Sequence, residues 1–524
     1  LTDHPPLCRH DGNHVALAGS ITLDTERNLA VVHDGMTPGG HPLGQLPFAS
    51  IEQMLCSTRP AMGVGSPWVA GPYWYTELSP QEADFDLQTA TGVKLALVLD
   101  GLSEVNVHAL GVRGDGKSDD APALNRAIAR AQKTGAILRL PAGTYRYGSE
   151  LEISDAITLR GAGIRYTIFQ PMGGYSGWFM SITESNFINT SNQGPRVNLS
   201  NDTAGLTLAA FSVRSSRDLG SGPQNGIRCV GRNDRMRWHD IYIECLEGTH
   251  FHFGHPIDGN EIRPAFIREC DFYNIESRGG GDLKSGAPAV IIDSYGPGDA
   301  TNLCNFFACR IVYPYGTGLD IVCHATRNAI RRLTFFNLLM HGAGSVGVKT
   351  DAPLMHIRGA FYWSSFYAFQ LNSTSSRQVG VKTEALNGRS ADGLRFEGDI
   401  SSGAGEGFAF DAGGHYEVSF ANFGNRGAGV SLGDNLDGPV LLDAMGKQDV
   451  HTRVSRKSAG FLQQRTEQGD HRNAPMRSAK VWVATPRTPN DPGMPGDIAR
   501  DAHYAYICVA PNQWVRMPVD QTWD

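Results

Sequence analysis

Residues 107–147 read VHALGVRGDGKSDDAPALNRAIARAQKTGAILRLPAGTYRY, and ITLRGAG follows at 157–163. Residues 107–112 carry a strand pattern, and Arg113-Gly114-Asp115-Gly116 form a turn. Ser118 is placed to cap a helix over 119–134 whose first turn holds Asp119, Asp120 and Pro122, all favourable at a positive helix end. Leu124, Ala127, Ile128 and Ala131 recur at i, i+3, i+4 and i+7, giving one narrow apolar stripe. Gly135 ends the helix. Strand patterns at 136–140 and 157–163 then flank the turn Pro141-Ala142-Gly143-Thr144-Tyr145. A single narrow-striped helix followed by short strands suits the first rung of a solenoid, whose apolar interior the helix covers.

The repeat becomes visible after Gly205. Pairs of short strands recur, each pair ending in a glycine turn and an alternating segment. Aligning Phe251, Leu319, Val348, Phe369, Phe408 and Val430 as inward residues gives steps of roughly 20 to 30 residues where no insertion intervenes, a solenoid period in which each coil buries its apolar face only by stacking on neighbours. No second amphipathic helix of good length appears, which argues against bundles and doubly wound sheets. The expected fold is all-β: a right-handed parallel β-helix (solenoid) over residues 103–444 with an N-terminal capping helix. A small N-terminal module (1–102) and a small C-terminal β module (445–524) flank it.

Composition agrees. Glycine is frequent at 62 of 524 residues and charged residues make up only 19%, a profile of many short strands. A net charge of -7 without a basic cluster excludes nucleic acid and anionic membrane surfaces as expected partners. No apolar run is long enough to cross a bilayer, so no membrane insertion is expected, and residues 1–20 lack the pattern of a secretory signal. The nine cysteines show no pairing framework and no zinc spacing. Cys229, Cys245, Cys270, Cys309 and Cys323 sit at apolar strand positions and read as reduced core thiols. Neither a metal nor a cofactor is expected.

Residues 1–102 are rich in Gly, Pro and aromatics, with two strands around a polar turn at 21–35. Residues 447–478 are charged and glutamine-rich and read as an extended or inter-chain segment. A compact β module closes the chain over 480–516.

The block GVRGDGKSDDAPALNRAIARAQKTGAILRLPAGTYRY…ITLRGAG resembles the entrance of the pectate-lyase-like β-helix superfamily, which includes many bacteriophage tailspikes. NLAVVHDGMTPGG at 28–40 is similar to small modules near the head-proximal ends of phage tail fibres and spikes. The final module resembles one recurrent at the ends of phage tail proteins. The resemblance implies a tailspike of the virion tail, folded in the host cytoplasm and acting at the outer surface of the bacterial cell. It further implies a homotrimer, attached to the phage tail or baseplate through its N-terminal region. Its partner would be a bacterial surface polysaccharide, lipopolysaccharide O-antigen or capsule, which it binds and cleaves during host adsorption.

Hydrolysis of a glycan needs an acid and a base, usually two carboxylates, whereas β-elimination needs a base and a group that neutralises the uronate. A non-catalytic receptor-binding spike would use the same surface without either. In the alignment above, His252, Asp320, Lys349 and Gln370 lie one position after the inward residue, and Asp293 (counted from Val290), Asp351 and Asp411 lie three after. Asp293 and Asp320 then sit on adjacent coils, two residues out of step, about 8 Å apart at Cα from the strand spacing and rise. That suits the roughly 6.5–9.5 Å carboxyl separation of an inverting pair. Asp320, Asp293 and Asp351 are the first catalytic candidates, and Glu244 and Asp271, with Asp240 and Glu269, form a second group on the other strand of the coil. His252, His324, Lys349, Asp282, Tyr315 and Trp363 are candidate substrate-binding residues, the last two by stacking on sugar faces. An aspartate just past a strand is also a common turn former. His250 and His252 alternate with phenylalanines and are both expected to face outward.

Overall fold

A computed structural model describes residues 21–24, 29–32, 41–45, 47–99, 104–183, 205–215, 224–257, 264–296, 300–342, 350–373, 378–402, 407–423, 429–436, 438–444, 451–454, 461–465, 471–473, 485–492, 498–501 and 503–518. They fall into two compact units, residues 1–175 with 206–212 and residues 176–205 with 213–524. The architecture is mostly β, built as a right-handed parallel β-helix.

In the first unit, Ile21–Asp24, Leu29–Val32 and His41–Gln45 form an antiparallel sheet. A second antiparallel sheet comprises Pro67–Ala70, Tyr73–Glu77, Lys94–Leu97 and Leu87–Gln88, with Trp68, Tyr75 and Leu95 fully buried. This second sheet is tied to the start of the solenoid. Tyr75 Oη donates to Ala109 O at 3.0 Å, and Arg130 of the capping helix reaches Asp86 at 3.2 Å. The helix itself runs Ala121–Thr134 and buries Ala121, Ala123, Leu124, Ala127, Ile128 and Ala131, the expected stripe widened by one turn. It closes on Gly135 in the left-handed region at φ 72°. Beneath it, Glu104–Asn106, Ile137–Leu140 and Thr158–Gly161 pair in parallel, as do Asp115–Asp119, Gly143–Tyr147 and Thr167–Pro171.

Two local expectations are corrected here. Residues 107–112 are not a strand: Val107–Leu110 form a 3-10 turn, because the Asn106 side chain accepts the His108 N–H and Gly111 reverses the chain at φ 86°. Ser118 does not cap the helix. It lies in a strand with its hydroxyl on Asp115, while Asp119 accepts the Ala121 N–H at 3.1 Å. Asp120, buried, instead accepts the backbone N–H groups of Arg113 and Gly114 at 2.7 and 3.1 Å and so folds the turn back on the helix start. Asp120→Ala orphans both donors and is expected to cost about 2 kcal/mol or more, read as a lower unfolding midpoint.

In the second unit two long parallel ladders stack coil on coil. The first runs through Arg237–Glu244, Asp271–Arg278, Asn305–Phe307 with Arg310–Val312, Thr334–Phe336 with Leu339–His341, Ser365–Ser373, Leu394–Ser402, Tyr416–Phe423 and Pro439–Ala444. The second runs through Gly177–Thr183, Gln224–Val230, Phe251–His255, Val290–Ser294, Leu319–Cys323, Met355–Arg358, Val381–Glu384, Phe408–Gly413 and Gly429–Leu436. A short third ladder pairs Arg232–Asp234 with Phe266–Arg268 and Ile330–Arg331 with Phe361–Tyr362. The ladders do not stop at Ala444. Gly429–Leu436 pairs in parallel with His451–Val454, and Pro439–Ala444 with Phe461–Arg465, so part of the segment read as extended continues the coils. Those two strands are short and carry Arg or Gln at several positions, which hides their alternation. A separate antiparallel sheet of Ile498–Arg500, Tyr504–Ala510 and Gln513–Pro518 encloses Ala499, Tyr506, Cys508 and Trp514.

Inside the coils, Phe272, Phe306, Phe335, Phe366 and Phe396 hold one inward position in register. Their rings stack at 4.7, 4.6, 4.6 and 4.8 Å, the spacing of hydrogen-bonded strands. Coils turn before the first ladder on single left-handed residues that are mostly not glycine: Arg235, Glu269, Leu303, Arg332 and Trp363 at φ 48–55°, then Gly393. Such a conformation costs about 1 kcal/mol or more at a non-glycine residue. Each of these N–H groups donates to the next coil, Arg235 to Arg268 O at 2.8 Å and Trp363 to Asp392 O at 3.1 Å among them, and the repeated bond offsets the strain. Among the described residues all cysteines are free, and Cys229, Cys270, Cys304, Cys309 and Cys323 are buried.

Candidate active site on the outer face of the second ladder

Register fixes which residues share this face. Ile227, Phe251, Val290, Leu319, Met355, Val381 and Phe408 point inward in line. One position later come Arg228, His252, Ile291, Asp320, His356 and Lys382. Beyond them lie Asp293, Arg358 and Glu384. The result is an array of acids, imidazoles and cations on successive coils, about 4.8 Å apart.

The centre of the array is unusually closed for an outer sheet face. Asp293 is 3% exposed and Asp320 5%. Asp293 Oδ2 accepts from the Tyr295 hydroxyl at 3.1 Å and lies 2.9 Å from His252 Nε2. Its other oxygen lies 3.8 Å from His324 Nε2, and the His324 ring stacks on Tyr295 at 4.2 Å. Arg389 Nη1 donates to Ala325 O and Asn328 O at 3.1 and 2.6 Å, which holds the loop just past His324. Asp320 meets Arg358 through both oxygens, at 3.2 and 2.5 Å. Burial pushes the Asp320 carboxyl above the ordinary aspartate value, and the Arg358 guanidinium pulls against that shift. His356, 3.0 Å from Glu384, is lowered by burial against the opposing pull of Asp320 and Glu384. At the other end, Trp178 packs on His252 and His255, and Arg228 lies over its ring at 5.5 Å. Burial and the neighbouring His252 take His255 down to about 4, so it is a neutral imidazole near pH 7.

Of the candidates read from sequence, Asp293, Asp320, His252 and His324 therefore meet in one cluster. Asp293 pairs with Val322, two residues past Asp320 on the adjacent coil. Several others do not join them. Asp351 is exposed and precedes the strand, because Met355, not Val348, continues the ladder after Leu319. Lys349 and Val348 lie outside the described residues. Phe369 belongs to the first ladder, opposite Gly398, and takes Gln370 with it. Glu244 and Asp271 are half-buried on the first ladder, where Asp271 accepts from Asn305 at 2.9 Å. Asp282 accepts the N–H groups of Lys284 and Ser285 and is a turn former. Tyr315 is half-buried in a loop, and Trp363 is a corner residue before the first ladder. His250 points inward, fully buried, with Nδ1 2.9 Å from the Ser277 hydroxyl.

Residues missed by sequence reasoning are Arg358, His356, Glu384, Tyr295, Arg228 and Trp178. For two of them a signal was present: in Met355-His356-Ile357-Arg358 the alternation is plain once the strand is assigned to the second ladder. Among the described residues no cluster of His, Cys, Asp and Glu has the geometry to hold a metal.

Comparisons with known proteins agree with this architecture. The family model for rhamnogalacturonase A/epimerase, pectate lyase-like, matches residues 104–229. No curated protein sequence matches the chain. Among solved structures, the full-length tailspike protein 2 of an Escherichia coli O157:H7 bacteriophage aligns at a TM-score of 0.50 with 11% identity, over 80% of this chain and 55% of that longer one. The ORF18 protein of Geobacillus virus E2 aligns at 0.45 with 15% identity, over 80% and 73%. The A-module of an Azotobacter vinelandii mannuronan C-5 epimerase aligns at 0.39 with 14% identity, over 68% and 88%. The chain thus has the fold of a right-handed parallel β-helix, an architecture it shares with a bacteriophage tailspike, and its residues 104–229 are similar to the pectate-lyase-like family. No helix among the described residues is long and apolar enough to cross a membrane.

Proposed function

We propose that this protein is a phage tailspike that binds and cleaves a bacterial surface polysaccharide, lipopolysaccharide O-antigen or capsule, during host adsorption. The observation that carries the reading is the buried pair Asp293 and Asp320 on adjacent coils of an outer sheet face, each held by its own partners. A stack of coils offers an extended glycan a ladder of side chains along its length. Asp320, raised by burial, serves as proton donor to the leaving sugar oxygen, and Asp293, oriented by His252 and Tyr295, as base toward water. In this reading the chain acts as a homotrimer on the virion tail, with residues 1–102 toward the phage and residues 445–524 serving assembly or receptor contact. It folds in the host cytoplasm and acts at the outer surface of the cell.

Incubation with polysaccharides of candidate hosts, followed by size-exclusion chromatography, tests the reading; loss of high-mass glycan is expected, and intact glycan from the true host would reduce the protein to an adhesin. One arrangement favours a lyase as the second reading. The half-exposed His324 stacked on Tyr295 offers a base, and Arg358 a cation for a uronate. Ultraviolet absorbance of an unsaturated uronate in the products decides for elimination, and its absence with new reducing ends decides for hydrolysis. The hydrolytic assignment also sets the pH profile. Cleavage falls as pH rises through the elevated Asp320 value, and Arg358→Met, which removes the cation that lowers it, moves that alkaline limb upward. An unmoved limb removes Asp320 from the donor role.

A further inference from the structure

One stretch of the outer face of the first ladder differs in composition from the second ladder. In the first half of the strands of three successive coils the outward positions are Asn305 and Phe307, Thr334 and Phe336, and Ser365 and Tyr367, six residues in register with no formal charge. Tyr273 continues the aromatic row by one coil, its ring stacked on Phe307 at 4.9 Å. Leu303, Arg332 and Trp363 stand at the corners just before the same strands, two of the three apolar. Exposures are 43% for Tyr273, 44% for Leu303, 49% for Phe336 and 58% for Trp363. Among the described residues of the coils from 224 to 444, only Leu283 of the large exposed hydrophobics lies elsewhere. Charges surround the row, with Arg237 and Asp271 at one end, Arg395 and Glu397 at the other, Arg332 at the corner, and Arg310 beside Glu276 further along the strands. An apolar, aromatic centre with a charged rim is the composition of a protein–protein interface core.

We infer that this stripe is where copies of the chain pack against one another. The inference deepens the assembly proposed above and does not need the site to be catalytic. The first reason is repeat. The apolar groups recur once per coil from Tyr273 to Tyr367, and a partner that matches them row for row must carry the same axial spacing, as a second copy does. The second reason is charge. Around a symmetry axis parallel to the solenoid, residues near the axis meet their own counterparts, so any charge there would face a like charge. Asn305, Phe307, Thr334, Phe336, Ser365 and Tyr367 are free of that penalty, whereas the second ladder, with Asp320, Arg358, Lys382 and Glu384, is not.

The test is the mass of the full chain in solution by sedimentation velocity, with circular dichroism to confirm folding. The wild type is expected to sediment as an oligomer, and Phe336→Asp and Phe307→Asp as folded monomers. Asp411→Lys, on the second ladder, keeps the wild-type mass. Should the aspartate variants fail to fold, the double change Phe307→Ser with Phe336→Ser reads the same face with less disturbance, and a mass unchanged from wild type overturns the inference. A wild-type monomer overturns it too, as does a Phe336 variant that keeps its mass and loses only glycan binding. Glycan cleavage is measured separately, so an inactive but correctly assembled wild type would fault the enzymatic reading and leave the interface standing.

Discussion

Replacing Asp320 with asparagine is expected to lower polysaccharide cleavage by about 10²–10⁴-fold, the range of a lost general acid. The amide keeps the shape of the carboxyl but cannot deliver a proton. Glycan binding should persist, so the loss falls on kcat and leaves KM nearly unchanged. Since the substitution leaves the Arg358 guanidinium without its counter-charge in a closed setting, unfolding must be followed in parallel; a variant as stable as wild type isolates the chemical effect. Asp293→Asn is the matched experiment on the second carboxylate. Full activity in either variant excludes that residue from the reaction, and full activity in both sinks the paired-carboxylate mechanism.

The largest stability effect is expected at Phe335. Its ring is 2% exposed and stacks between Phe306 and Phe366 at 4.6 Å on each side. Phe335→Ala removes the middle of a five-ring column and leaves a void that stiff neighbouring coils fill poorly. A loss of about 3–5 kcal/mol is expected, seen as a lower midpoint in denaturant. Thr334→Ala, one residue away on the outer face, should change stability by about 0.5 kcal/mol or less. Equal effects at the two positions would mean that the inward column is not what holds these coils together.

The capping block is legible because local rules decide it: an apolar stripe, a glycine stop and short strands lie close together in the chain. The coil phase is harder, and the reason is physical. Corners at Arg235, Glu269, Leu303, Arg332 and Trp363 adopt the left-handed conformation without glycine, held by hydrogen bonds to the next coil, so no residue type announces the turn. With the corners hidden, alternation alone places Phe369 on the wrong ladder and passes over Met355 as the successor of Leu319. That one slip points to Lys349 and Asp351 and away from His356 and Arg358. Asp293 and Asp320 survive it, since their two strands are joined by a register that alternation alone specifies. Tyr295 and Trp178 act on the cluster from a strand edge and from two coils away, contacts that no spacing rule reaches.

The phenylalanine column makes the chain's tolerance of length change periodic. From Phe272 to Phe396 the coil length varies while the inward ring returns to the same place, so residues are gained or lost at the corners and loops without moving the column. A single residue inserted inside one of these strands would instead turn its ring outward and shift every later contact of that strand to the opposite face. A whole extra coil, bringing its own phenylalanine, would lengthen the protein by one strand spacing and leave both outer faces in line. Such a molecule would extend its reach by whole steps, and a survey of inserted and duplicated segments would show lengths clustered near one coil and few between.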